Sequence, residues 1–528
     1  MGYKGFVVEL PIGKDGFTGT KNLSETLPSQ LIQAMNVEYS DGPMRKEGGS
    51  VKYNSSALTG TPVILGGHDW NPSVGVQRAI VYTDDGKLIK DADDTFGTQT
   101  ELKTGLGTSA LPVFIEGGKE AAANNRKLFI MNGENVVQVL DADSATTGDL
   151  ATPPTDWATT NQPSCGAIHE DRVWGAGNAN DPHRAYYSMT TDHEDFGGSG
   201  AGTISVFPGE GEKIVNIMSF KGFLIVWKFP KGVYVVDTTD PAIANWKVKR
   251  ISTSTSGVNG RSAVITDDDI VFIDSNGQFQ FLSTVKEFGD VSNKNLSKIA
   301  DIGVWMRDNI DFSRLGKCQA VWYPKRREAR FALTRSGSSN NDIQVVVDFN
   351  RVDLPRFRFS DQNICESMWL RLETDNTDRV NCGDEAGFQW KLDDDTRSKD
   401  SGAYSGLFQT SHDDFRWRDP VLASKNKLGD FLELVVEPKG NWDANVQVYW
   451  DDELESTYSF NMGSTGAALG SFVLDTSILA GTSVLNTKKR ITGSGKRFSI
   501  VTENANAGED FSVSKFLLYF RVGDESNE

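Results

Sequence analysis

Short apolar runs, separated by Gly, Asp and Asn, recur along most of this chain of 528 residues. Several of them alternate with polar residues, which is the period of a β-strand. Residues 79–82 and 87–89 flank an Asp-Asp-Gly turn, and residues 128–131 and 136–140 flank an Asn-Gly turn, so both pairs are predicted to be β-hairpins. The pattern predicts a chain built mainly from antiparallel strands.

Consecutive predicted strands fall into units of roughly 40 to 60 residues, the period of propeller blades. The clearest groups are residues 213–218, 223–227, 233–236 and 246–251; residues 262–266, 270–273 and 278–282; and residues 320–323, 329–333, 343–347 and 357–360. Residues 388–392 are predicted to belong to one further unit. We therefore predict a β-propeller over residues 61–400, while a pair of large β-sandwiches would give a similar pattern.

The segments on either side of this region differ from it. Residues 430–528 contain six apolar strand patterns, FLELVVEP, ANVQVYW, STYSF, GSFVL, KRFSIVTE and VSKFLLYFRV, and predict a separate β-sandwich or jelly roll. Residues 401–429 form a polar linker, and residues 1–60 an extended docking segment. The predicted fold class is all-β, a β-propeller with an additional C-terminal β-sandwich. Short helices are predicted only within residues 24–39 and 294–306.

Charge and cysteine content exclude several classes of protein. The 72 acidic residues exceed the 54 basic ones and give a net charge of −18, so tight nucleic-acid binding by the whole surface is disfavoured. The four cysteines, Cys165, Cys318, Cys365 and Cys382, contain no CxxC pair and are expected to be buried free thiols. No apolar stretch has the length of a signal peptide or a membrane span, so we expect a soluble protein made in a cytoplasm.

Candidate metal sites are weak. A loop rich in carboxylates and imidazoles could hold zinc or manganese, but it lacks helical ligand spacing, and a solvated loop is favoured. Its residues are Asp181, His183, Asp192, His193, Glu194 and Asp195. Asp393-Asp394-Asp395 begins like a calcium loop, but Arg397 occupies the third ligand position, which favours an exposed charge run.

Candidate catalytic and phosphate sites are weak as well. Gly493-Ser494-Gly495-Lys496-Arg497 resembles the end of a phosphate loop, but Arg497 replaces the required Ser or Thr, and a hairpin turn is predicted. The chain has five histidines and no Gly-x-Ser-x-Gly motif. The aromatic clusters 220–227 and 357–359 are predicted to be blade core, and Lys325-Arg326-Arg327 an exposed hairpin tip that could contact an acidic partner or phosphate. We therefore expect a non-enzymatic protein without catalytic, cofactor-binding or metal-binding residues.

Several segments carry a family resemblance. Residues 22–49 read NLSETLPSQLIQAMNVEYSDGPMRKEGG, with Leu27-Pro28, Ala34 and Asn36, and a turn from Gly42 through Lys46 to Gly48. Segments 183–196, 214–236, 256–283 and 495–522 fit the same group. Together they resemble the nozzle proteins of short-tailed bacteriophages, also called tail tubular protein B or packaged-DNA stabilisation protein. Tail proteins of long-tailed phages share this style of N-terminus, so the place in the tail stays open.

The resemblance implies a structural virion protein located in the tail. Members of the family are similar to a β-propeller with added β domains, and they form a six-fold ring that makes the DNA channel. The expected partners are copies of the chain itself in a hexameric ring, a tail adaptor, other tail proteins and, transiently, the genomic DNA, with no membrane and no cofactor. The alternative is a carbohydrate-binding or glycan-hydrolysing propeller with a lectin-like C-terminal domain that acts at the host surface.

Overall fold

The computed structural model describes residues 4–20, 26–39, 43–91, 98–118, 126–158, 160–209, 213–285, 290–296, 301–351, 355–373, 375–463 and 485–522. The N-terminal part supplies five short strands: β1 (Lys4–Leu10), β2 (Leu31–Met35), β3 (Val37–Tyr39), β4 (Met44–Lys46) and β5 (Gly49–Lys52). Each of the five belongs to a sheet that also contains strands from later in the chain.

The next twenty strands follow one another in five groups of four. The first two groups are β6 (Ile64–Ser73), β7 (Val76–Thr83), β8 (Leu88–Asp91) and β9 (Gln99–Lys103), then β10 (Val113–Gly117), β11 (Lys127–Met131), β12 (Gln138–Asp141) and β13 (Gly148–Asp149). The next two are β14 (Cys165–His169), β15 (Arg172–Ala176), β16 (Arg184–Tyr187) and β17 (Gly202–Ser205), then β18 (Lys213–Phe220), β19 (Phe223–Phe229), β20 (Val233–Asp237) and β21 (Lys247–Ser252). The fifth is β22 (Ala263–Ile265), β23 (Ile270–Ile273), β24 (Phe279–Val285) and β25 (Asp290–Asn295).

The remaining strands build the last blade and two larger sheets. They are β26 (Gln319–Tyr323), β27 (Glu328–Leu333), β28 (Ile343–Asp348), β29 (Arg356–Ser360), β30 (Ser367–Leu372), β31 (Asp378–Gly383), β32 (Gln389–Asp394) and β33 (Gly406–Thr410). The last seven are β34 (Lys427–Val436), β35 (Asp443–Trp450), β36 (Glu453–Asn461), β37 (Leu485–Arg490), β38 (Ser494–Gly495), β39 (Phe498–Asn504) and β40 (Ser512–Val522). The helical elements whose bounds are described are the α-helix α1 (Gly303–Asn309) and the 3₁₀ turns Ile243–Asn245, Phe312–Lys317, Pro324–Arg326 and Pro420–Ser424.

Six four-stranded antiparallel sheets are the blades of a β-propeller, which confirms the predicted all-β class and the predicted propeller. The first five blades are consecutive, from β6–β9 to β22–β25, and the sixth combines β30, β31 and β32 with β5. The N-terminal strand β5 thus closes the last blade through pairs such as Lys391 with Val51. This strand lies before the predicted start of the propeller at residue 61.

A nine-stranded sheet takes part in the ring as well. Its order is β26-β27-β28-β29-β2-β33-β39-β35-β36, and β26 contacts both β22 of the fifth blade and β30 of the sixth. The strands predicted at residues 320–360 are therefore present, but they continue into a larger sheet. The ring consists of six independent blades and one end of this shared sheet.

Apolar clusters fill the spaces between neighbouring blades. Trp70 and Tyr82 of the first blade pack with Leu128 and Ile130 of the second, for example. Trp174 of the third blade packs in the same way with Val226 of the fourth. Because each sheet covers the face of the next, the ring needs no single central core.

The second large sheet has seven strands and pairs the two ends of the chain. Its order is β3-β4-β40-β34-β37, with β1 on β40 and β38 on β34. The β1–β40 pairing runs from Lys4 with Val522 to Leu10 with Phe516. One apolar cluster joins this sheet to the nine-stranded sheet, through Leu434 on β34 and Val446 on β35. The strands of residues 430–522 therefore lie in sheets that also contain N-terminal strands, and the predicted strand at residues 470–474 lies outside the described residues.

The predicted helix at residues 24–39 is wrong in its described part. Leu31, Ala34 and Val37 are buried, but they belong to β2 and β3. Asn36 has a left-handed backbone with φ of 52°, which interrupts any helix, and its side-chain amide donates to Asp361 and to the carbonyl of Ser405. Partners more than 300 residues away override the local pattern. Of the second predicted helix, at residues 294–306, the last part belongs to α1, which begins at Gly303, while residues 294 and 295 belong to β25 and residues 297–300 lie outside the described part.

Both hairpins predicted from Gly turns are confirmed. β7 and β8 pair around Gly86, whose φ is 75°. β11 and β12 pair around a longer loop in which the carboxamide oxygen of Asn132 accepts from the N–H groups of Glu134 and Asn135. The Asn side chain thus forms the turn by replacing a backbone acceptor.

His169 links the third and fourth blades in the interior. Its Nδ1 lies 2.8 Å from Ser219 Oγ and its Nε2 lies 2.6 Å from Thr238 Oγ1. Burial lowers the pKa of His169 to about 4, because the imidazolium would lose its hydration. The folded state therefore holds this ring neutral at pH values where the unfolded chain protonates it.

We predict that His169 makes the fold sensitive to acid. Its contribution to stability is complete above pH 6.5 and is lost as the pH falls toward 4, by about 3 kcal/mol. The variant His169→Gln should show a weaker decline in the urea unfolding free energy over this pH range. A decline as steep in His169→Gln as in the wild type would contradict the prediction.

Candidate functional site

The loop with the candidate metal ligands is bound by structural contacts. His193 is buried, its Nδ1 accepts from the N–H of Gly118, and its Nε2 lies 3.1 Å from the carbonyl of Asp171. Glu194 pairs with Lys127. The carboxylate of Asp195 accepts the N–H groups that follow it in the chain. The loop is thus packed and not solvated as expected, and within the described ranges no group of three His, Cys, Asp or Glu side chains is arranged to hold a metal ion.

The two charge runs noted in the sequence meet in the interior. Asp393 was expected to be exposed, yet it is 7% exposed and lies 2.6 Å from the guanidinium of Arg330. Arg326 was expected at an exposed tip, yet it pairs with Glu38 and lies 3.6 Å from Asp393. Each expectation was wrong for that one residue, because its partners come from distant strands, whereas Asp395 and Lys325 are exposed as expected. Arg327 remains near the surface, 3.0 Å from Asp267.

These residues belong to a buried cluster of ion pairs, which we call the ionic junction. It consists of Glu38, Glu47, Arg326, Glu328, Arg330, Arg358 and Asp393. Glu38 is on β3 of the seven-stranded sheet, Glu328 on β27 of the nine-stranded sheet and Asp393 on β32 of the sixth blade. The junction therefore joins three sheets at one point.

Arg358 is the centre of the junction and is fully buried. Its two terminal nitrogens lie 2.5 Å from Glu47 Oε1 and 2.7 Å from Glu328 Oε1. Arg330 reaches the other oxygen of Glu328 at 2.7 Å. Burial by itself would raise the pKa of Glu328, but Arg358 and Arg330 lower it to about 2, so the carboxylate stays charged.

A glycine at the edge of the junction explains one motif of the sequence. A Cβ atom on Gly48 would lie 2.6 Å from the Cα of Asp393. Asp393 itself has a left-handed backbone with φ of 59° at a bulge of β32. Only glycine permits this approach. The turn that ends in Gly48, noted in the sequence, thus holds the N-terminal strands against the sixth blade.

In the segment that resembles a phosphate loop, the backbone N–H groups already donate to a carboxylate. Asp451 accepts the N–H groups of Lys496 and Arg497 at 2.9 and 2.8 Å. Asp451 and Asp452 have φ values of 48° and 72°, as in the tight turn that joins β35 to β36. The segment connects β38 and β39, which lie in different sheets, and is therefore a crossover and not the predicted hairpin turn.

The predicted core residues are buried. All four cysteines are free and buried, and burial raises the pKa of Cys165 and of Cys318 to about 12, so neither is a reactive thiolate at neutral pH. Trp227 and Phe357 are fully buried within the two aromatic clusters. No helix in the described part is long and apolar enough to span a membrane.

A surface feature that the sequence analysis missed is a cleft of about 270 Å³. It is lined by Leu27, Pro28, Asp413, Arg416, Trp417 and Arg497, and we call it the Trp417 cleft. Trp417 is 46% exposed, and its indole N–H donates to Asp413 at 2.6 Å, which fixes the ring. Leu27 is 53% exposed beside it. A fixed, half-exposed Trp next to Arg is typical of interface anchors.

The comparisons with known proteins give no family for this chain. No protein-family model matches the chain, and no curated protein matches it. The computationally designed Ika8 protein has a TM-score of 0.37 at 11% identity, over 66% of this chain and 98% of the other. YCF48 bound to D1 peptide has a TM-score of 0.39 at 11% identity, over 68% and 97%. BBS1N in complex with ARL6DN has a TM-score of 0.40 at 12% identity, over 66% and 96%.

We predict that Arg358→Met destabilises the protein by about 3–5 kcal/mol, because it leaves Glu47 and Glu328 buried without their cation. The urea unfolding free energy measures this. Arg416→Met removes an exposed pair with Asp414 and should cost less than about 1 kcal/mol. Adding Glu328→Gln to Arg358→Met should restore part of the loss, and additive losses in that double variant would count against the junction.

Proposed function

We propose that this chain is a non-enzymatic structural protein of a bacteriophage tail, similar to a nozzle. Copies of it would form a ring, hexameric as in the family it resembles, around the channel that retains and conducts the genome. Its other partners would be a tail adaptor, further tail proteins and, transiently, the DNA. Its place would be the virion tail, after synthesis in the host cytoplasm.

The observation that carries the proposal is the ionic junction. It fixes the sixth blade, the nine-stranded sheet and the seven-stranded sheet to one another through side chains that are all part of pairs. A ring subunit that bears load needs this fixed orientation between its parts. We further infer that the two large sheets act together as a β-sandwich module beside the propeller.

The Trp417 cleft supports self-association. Trp417 and Leu27 expose apolar surface that water disfavours, and Arg416 and Arg497 surround it with polar groups. Interfaces between proteins have this composition, with aromatic and Arg anchors inside a polar rim. In the proposed ring this cleft would receive the neighbouring copy.

The acidic surface supports the passage of DNA. With a net charge of −18, a channel wall made by this chain would repel the phosphate backbone and prevent adhesion. DNA could then move through the ring without being bound to its wall.

The proposal predicts rings with a central hole in negative-stain images of the purified protein, with or without the adaptor. Trp417→Ala should raise the concentration needed for assembly by about tenfold or more, since truncation of an interface anchor costs about 2 kcal/mol. Light scattering and images measure this. Val74→Ala, which truncates a fully exposed hairpin tip, should assemble like the wild type.

Two results together would contradict the proposal. If no ring forms with any tail component, and if the full chain binds glycans on an array, the glycan-binding alternative replaces the nozzle. Rings that form equally well with Trp417→Ala would leave the ring but reject the cleft as its interface.

A further inference from the structure

A second cavity, of about 410 Å³, lies beside the end of β1. Its walls include the turn of residues 11–14, Tyr39 and Met44 from β3 and β4, Arg351 and Arg356 near the start of β29, and Lys515 on β40. It thus lies where the N-terminal turn meets both large sheets. Neither the ionic junction nor the Trp417 cleft includes any of these residues.

The charge of this cavity is opposite to that of the whole chain. Lys14, Arg351, Arg356 and Lys515 line it, and among its described lining residues Glu9 is the one carboxylate. Glu9 lies 3.2 Å from Lys515 at the rim. A cluster of cations on a chain with a net charge of −18 attracts an anion locally.

The two arginines are held in place by carboxylates that do not line the cavity and by two residues of its wall, Lys14 and Tyr39. Arg356 is 8% exposed, lies 2.6 Å from Asp348, and stacks its guanidinium 4.5 Å from the ring centre of Tyr39. Its Nε atom is buried and has no hydrogen-bond partner within the described residues. Arg351 donates to the carbonyl of Lys14 at 2.7 Å and to Asp15 at 3.1 Å. Asp15 and Asp348 orient the two guanidinium groups, and neither carboxylate lines the cavity.

The backbone of the turn adds donors. Gly13 has φ of 56°, and a Cβ atom there would lie 3.2 Å from the ring of Tyr39, so the turn is pressed against the cavity wall. Within the described part of the chain, no acceptor is paired with the N–H groups of Ile12, Gly13 and Lys14. Successive free N–H groups at a left-handed residue are typical of anion-binding turns.

We propose that this cavity binds a phosphate group. Arg presents a planar fork that matches phosphate oxygens, Lys14 adds a mobile charge, and the turn supplies N–H donors. The cavity volume lies within the range of ligand pockets and leaves room for the organic part of a phosphate ester. The site does not depend on the proposed ring.

The test measures binding of three probes to the full chain: inorganic phosphate and pyrophosphate by calorimetry, and a short single-stranded DNA by fluorescence anisotropy. We expect at least one probe to bind, and Lys14→Glu to weaken it by about tenfold or more. Lys249→Glu makes the same charge change at an exposed blade position and should change the affinity by less than about twofold. Because Lys14 is exposed, its replacement should leave the thermal midpoint unchanged.

The binding results distinguish a small phosphate ligand, the phosphate of a nucleic acid and the absence of a specific site. Binding of phosphate or pyrophosphate that depends on Lys14 assigns a small phosphate ligand. Such binding of DNA alone assigns the phosphate of a nucleic acid. If no probe binds, or if Lys14→Glu and Lys249→Glu weaken binding equally, the attraction is one of general charge and the site is rejected.

Discussion

The fold depends on a set of buried charged side chains, which pair with one another here and which water would solvate in the unfolded chain. Taking one ionised side chain into the interior costs several kcal/mol. Most of the seven charged side chains of the ionic junction are buried. The cost is offset only when Glu328 meets both Arg330 and Arg358 and when Arg358 also meets Glu47. These pairs exist only when β27, β29 and the turn before β5 are in register. The junction therefore selects one arrangement of the sheets and penalises every other, and its main effect is on specificity.

Pairing of distant strands explains the other features of the architecture. β5 completes the sixth blade from a position more than 300 residues earlier in the chain, and β1 pairs along β40. Each of these pairings ties an end of the chain to a sheet that would otherwise expose an edge. Exposed edges favour aggregation, so the same contacts that order the termini also protect the sheets.

Local sequence patterns predicted the strands of the blades. Pairings between strands that lie far apart in the chain could not be predicted from the sequence. The hairpins at Gly86 and Gly133 follow from the turn residues between their strands. The four strands of residues 213–251 follow from their local apolar pattern. The helix predicted at residues 24–39 was wrong because β2 lies between β29 and β33, whose sequences are far away. Asp393 and Arg326 were read as exposed charges for the same reason. A charged residue in the sequence does not reveal a partner on another sheet, whereas the burial of four unpaired cysteines follows from residue type alone.

The distribution of charge follows from how the interior is balanced. Among the described residues, ten Lys and Arg and eleven Asp and Glu are buried, so the interior is almost neutral. The described interior therefore accounts for almost none of the net charge of −18. A surface with an excess of negative charge repels polyanions and makes any cationic site stand out against the local field. The cavity beside Lys14 is such a site, since four cations line it and the carboxylates that pair with its arginines, Asp15 and Asp348, do not. The same chain can thus repel a phosphate backbone in general and hold a single phosphate at one point.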